Sequence, residues 1–185
     1  MIKLIHLIGR LLRAIFTQPD ITKPSIPITP ILELPHPEQP PDYTATMDSV
    51  NIENIINEWL ATYEVPGKYH SYWKNNCHII LSQRYQYPAA TSAQTRTVYI
   101  RPEWANPGVI AHEVCHIVWY ELAEEERIAF EYALYDARQA DPLLALAWET
   151  KAYMRSNVVE AHADCYRYVG KAMPARLRRF YPRLF

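Results

Sequence analysis

The sequence predicts an α+β fold. Three observations carry this: a mostly apolar helix bearing His112-Glu113-Val114-Cys115-His116, short β-branched runs just before it, and long stretches of helical spacing after it. The chain has 185 residues, 49% of them apolar and 12% aromatic, enough for one ordinary core plus an appendage. Its 19 Lys plus Arg nearly balance its 20 Asp plus Glu, for a net charge of −1, which argues against nucleic acid as a partner. Cys77, Cys115 and Cys165 are too few and scattered for a disulfide framework, so a reducing, cytoplasmic setting is expected.

Residues 1–18 read as a basic amphipathic helix. Ile2, Leu4, Ile5, Ile8, Leu11, Leu12 and Ile15 fall on one side, and Lys3, Arg10 and Arg13 on the other. The arginines interrupt the apolar run too early for a membrane span, and no small-residue cleavage site follows for a secretory signal. Two readings of residues 1–16 follow, peripheral contact with an anionic membrane surface or packing against protein, whether this domain or a partner. Residues 19–45 read as a proline-rich linker or wrapping arm, because Pro19, Pro24, Pro27, Pro30, Pro35, Pro37, Pro40 and Pro41 forbid helix and central strand.

Globular structure is expected over residues 46–185. Asp48 suits the cap of a helix carrying Val50, Ile52, Ile55, Ile56, Trp59 and Leu60, ending before Pro66-Gly67. Cys77–Leu81 and Thr97–Arg101 read as strands, with a third near Lys68–Trp73 and a turn-rich stretch at Tyr87–Gln94. A helix is expected over Leu122–Arg138. Asp141-Pro142 then starts another that runs unbroken to Gly170, beyond which lies a basic tail.

The HExxH pentapeptide places two imidazoles four residues apart on one helical face, where both can bind one Zn²⁺, while Glu113 can take a proton from water polarised by the metal. Asn106 and Pro107 supply the cap and first turn. Two His and a Glu on so apolar a helix need partners, and one shared cation satisfies both rings. Cys115 points about a quarter turn away from that face and is expected to pack rather than ligate.

A catalytic zinc usually takes three protein ligands and leaves one position open. Glu160 in Asn157–Cys165 is the first candidate for the third. Ala163 lets two helices approach, and Asp164 can hold a ligand His through its other nitrogen. Glu149, three helical turns earlier, is the alternative ligand, and His162 points away.

HEVCH followed on a later helix by Glu160-Ala161-His162-Ala163-Asp164 resembles the gluzincin group of zinc metallopeptidases. The resemblance covers about residues 46–170 and implies a zincin-like domain: an N-terminal helix, a small mostly antiparallel sheet, the HExxH helix and a C-terminal Glu-bearing helix. It implies His112, His116 and Glu160 as zinc ligands, Glu113 as general base, and metalloendopeptidase activity on peptide or protein substrates. It also implies Thr97–Arg101 as the edge strand that aligns an extended substrate. A downstream Tyr or His would be proton donor or oxyanion partner, with Tyr153, Tyr166 and His162 as candidates. The competing class is an inactive zincin-like binding or scaffold protein tethered through its N-terminal helix, against which the retained Glu113 argues.

Overall fold

A computed structural model describes residues 49–185. The helix expected over 1–18, the proline-rich 19–45 segment and the Asp48 cap lie outside these residues. In chain order the elements are α1 (Ser49–Thr62), a 3-10 turn leading into α2 (His70–Asn76), β1 (His78–Leu81), β2 (Ala89–Ser92), β3 (Thr97–Ile100), α3 (Pro107–Glu121), α4 (Glu124–Ala140), α5 (Pro142–Thr150), α6 (Val158–Val169) and the short α7 (Ala175–Arg178). The class is α+β, mostly helical, with one three-stranded sheet. Among the described residues no helix is long and apolar enough to cross a membrane.

The sheet differs from the expectation in three respects. Lys68–Trp73 is 3-10 turn and helix, and the third strand is Ala89–Ser92, inside the stretch that reads as turns. Ala and Ser have little strand propensity. Packing on α3 and pairing with β3 make this segment a strand, a tertiary override of local preference. The order is β1-β3-β2, with β1 parallel and β2 antiparallel to β3, so the sheet is mixed rather than mostly antiparallel. Two chain reversals, before β2 and again at the β2–β3 hairpin, return β3 to the direction of β1. At the second, Arg96 sits at φ 53°, the left-handed conformation such a turn requires. Thr97–Ile100 is therefore the central strand, and the edge strand packed on α3 is β2.

Helix α3 begins as the sequence predicts. The Asn106 side chain accepts the Val109 N–H at 3.1 Å, and Pro107 occupies the first turn. Every residue from Val109 to Trp119 is buried except His116, which is partly so. The helix is buried all round because α6, α1, β2 and β3 pack on it. Val114 and Ile117 each contribute about 1.5–3 kcal/mol by leaving water.

The expected continuous helix from Pro142 to Gly170 is broken between Lys151 and Asn157. Arg155 donates from Nη1 to the carbonyls of Trp148 and Glu149, satisfying the end of α5. Asn157 then caps α6 anew, accepting the Glu160 N–H at 2.9 Å. Gly170 ends α6 at φ 48°, where a side chain would be strained. The basic C-terminal segment is part of the core. Met173, Leu177, Phe180, Tyr181 and Leu184 are buried, and Trp73 donates its indole N–H to the Arg183 carbonyl at 2.8 Å. Arg183 also pairs with Glu121, at the end of α3, at 2.8 Å, and Arg96 grips the other oxygen of the same carboxylate.

Candidate metal centre

Helices α3 and α6 pack extensively on one another, Ala161 and Ala163 of α6 are buried, and this brings α6 side chains onto the motif. The Nε2 atoms of His112 and His116 lie 3.2 Å apart. Glu160 Oε2 is 3.1 Å from the first and 3.7 Å from the second. On the far side of His112, Nδ1 donates to Asp164 Oδ1 at 2.8 Å, and Asp164 is 1% exposed. That bond fixes the ring's tautomer and turns the Nε2 lone pair towards His116 and Glu160.

The three converging atoms are all electron-pair donors. Glu160 Oε2 is buried and faces the two imidazoles, with no other partner among the described residues. Such an arrangement is costly unless something positive lies between the atoms. Metal bonds of about 2.0–2.1 Å at tetrahedral angles put neighbouring ligand atoms about 3.3 Å apart. The observed 3.1, 3.2 and 3.7 Å bracket that value, so the donor set has the spacing to hold one metal ion.

The titration behaviour points the same way. Burial pulls His112 down, but hydrogen bonds to Asp164 and Glu160 and the Glu113 charge outweigh it and raise its pKa to about 9. A proton on His112 therefore answers the two carboxylates at neutral pH. Burial holds His116 below its usual range. Burial also pushes Glu160 up, yet its hydrogen bond to His112 and the imidazole charges leave it lowered, so it is a carboxylate at neutral pH.

Glu113 is buried beside this set, and a carboxylate oxygen of it lies with the His112 and His116 nitrogens in a group spanning at most 4.8 Å. Two carboxylates thus lie within reach of the imidazole nitrogens. Glu160 has the shorter approaches to both imidazoles, whereas Glu113 Oε2 is engaged by the Thr91 hydroxyl at 2.7 Å.

Other candidates separate cleanly. Glu149 is exposed near the end of α5 and the helix break takes it off the Glu160 face, removing it as an alternative ligand. His162 is a core residue. Its Nε2–H donates to the Phe180 carbonyl at 3.0 Å, its ring stacks 4.2 Å from Tyr181, and burial lowers its pKa to about 3. Tyr166 is buried in a stack with Tyr63. Cys115 is buried and free, packing as expected. Tyr153 alone of the three donor candidates reaches the site, its ring 5.9 Å from that of His112. Partial burial and the adjacent Glu160 carboxylate raise its hydroxyl to about 12, which keeps it a proton-bearing donor. Sequence reasoning missed Thr91, for which the only signal is a hydroxyl on a strand that itself reads as turn.

The chain matches no protein-family model, no curated protein and no solved structure. The chemistry of the site rests on its own geometry.

Proposed function

We propose that the chain is a zinc-dependent metalloendopeptidase of gluzincin type, in which His112, His116 and Glu160 hold the ion and Glu113 is the general base. The observation that carries the proposal is the convergence of two imidazole Nε2 atoms and one buried, otherwise partnerless carboxylate oxygen within 3.1–3.7 Å. The order of helix, sheet, HExxH helix and Glu-bearing helix supports a zincin-like reading. A purely structural zinc site would need no carboxylate base beside its ligands, so Glu113 favours catalysis over a scaffold role.

Zinc would supply Lewis acidity to a bound water and to the scissile carbonyl. The protein's own groups do the rest. Asp164 keeps His112 oriented through Nδ1, a contact whose loss in comparable sites costs about 10–100-fold. Glu113 accepts the proton of the attacking water and passes it to the leaving amine. Tyr153, still protonated at neutral pH and with its ring beside that of His112, would donate a hydrogen bond where negative charge develops on the substrate oxygen. Among the described residues β2 is an edge strand beside α3, suited to aligning an extended peptide. Free Cys77, Cys115 and Cys165 support a cytoplasmic setting.

The test is metal content together with cleavage. Purified full-length protein is expected to carry one zinc per chain and to cut casein or a mixed peptide library, with cleavage lost on chelation and restored by zinc. Stoichiometric zinc without any cleavage would favour the scaffold reading, and cleavage indifferent to chelator would defeat the mechanism.

A further inference from the structure

Two carboxylates, Glu113 and Glu160, lie beside the imidazole nitrogens, and one of them accepts a hydroxyl from the sheet. We infer that Thr91 is the positioning residue that keeps Glu113 out of the metal's coordination sphere, leaving Glu160 as ligand and Glu113 free to move protons. The inference rests on the metal reading above and deepens it.

Glu113 is close enough to become a ligand, since its carboxylate shares a 4.8 Å group with both imidazole nitrogens. Zinc accepts a fifth ligand, so the shorter approach of Glu160 alone would not keep Glu113 apart. Thr91 opposes this pull. Its Oγ1 donates to Glu113 Oε2 at 2.7 Å, the short separation of a charge-assisted bond, and the Glu113 main-chain carbonyl lies 3.1 Å from the same oxygen. The hydroxyl therefore sits astride the side chain and main chain of one residue. It is itself held by strand pairing, Thr91 opposite Val98, on the β2 edge packed against α3. Glu160 has no such restraint on Oε2, the oxygen that faces both imidazoles. The two carboxylates are thus sorted by hydrogen bonding, one anchored to the sheet and one aimed at the imidazoles.

The experiment is the visible absorption spectrum of full-length protein loaded with Co²⁺, in which four-coordinate cobalt absorbs several-fold more strongly than five-coordinate. Wild type and Thr91→Ser, which keeps the hydroxyl, are expected to give the intense four-coordinate band. Thr91→Val is expected to lose several-fold in band intensity as Glu113 enters the coordination sphere, with Thr91→Ala as the second hydroxyl-free variant should Val disturb the strand. Adding Glu113→Ala to either is expected to restore the band, which a merely structural disturbance of β2 would not. An unaltered band in a folded Thr91→Val or Thr91→Ala protein, or an equal loss in Thr91→Ser, overturns the inference while leaving the metal site standing. A wild type that binds no cobalt overturns the metal reading and the inference with it.

Discussion

Replacing Glu113 with Gln is expected to lower peptide hydrolysis by about 10²–10⁴-fold, the span general-base catalysis commonly supplies, while zinc content stays at the wild-type level. The amide is isosteric and its carbonyl oxygen can still accept the Thr91 hydroxyl, so neither α3 nor the position of β2 has reason to move. What disappears is the ability to accept and return a proton. Because Glu113 is buried and its Oε2 accepts the Thr91 hydroxyl, metal retention and catalysis should separate in this one variant. The check is turnover of a cleaved peptide alongside metal analysis of the same preparation. Full activity in Glu113→Gln would remove Glu113 from the mechanism. Loss of zinc as well would mean that Glu113 is itself a ligand.

His116→Ala should act in the opposite sense, on the metal and not on the proton. With one imidazole gone, His112 and Glu160 remain as the only two donors of the set, too few for the closed three-ligand grip of a catalytic zinc. Ion that survives dialysis in the wild type is expected to be absent from the variant. The effect is also legible as stability. A ligand at about one hundred times its dissociation constant stabilises the native state by about 2.7 kcal/mol, so zinc should raise the wild-type melting temperature by several degrees and leave that of His116→Ala unchanged. Comparing melts with and without zinc checks this in a single experiment. An undiminished zinc-dependent shift in the variant would show that the ion binds elsewhere.

The parts legible in the sequence are those set by local chemistry. Asn106-Pro107 announces the start of α3, and Asp141-Pro142 that of α5, because a cap and a first-turn proline act within four residues of themselves. The spacing of Glu160, Ala163 and Asp164 on one helical face points to the approach of α6 to α3 and to an Asp164 bond to one histidine of the motif, which the structure shows to be His112. What could not be read depends on distant pairing. Ala89–Ser92 becomes a strand only because β3 and α3 lie beside it, which also conceals Thr91. The break before α6 was equally hidden. Residues 151–157 carry no Gly or Pro to announce it, and it depends on Arg155 reaching back to the α5 carbonyls and Asn157 supplying a new cap. That break matters for function, because it removes Glu149 from competition and sets Tyr153 beside the imidazoles.

X-ray absorption at the zinc edge of the purified full-length protein addresses the central claim most directly. Two imidazole nitrogens and light oxygen ligands, in a shell at about 2.0–2.1 Å, are the predicted result. A sulfur shell at about 2.3 Å, or a zinc signal with no imidazole component, would contradict the account.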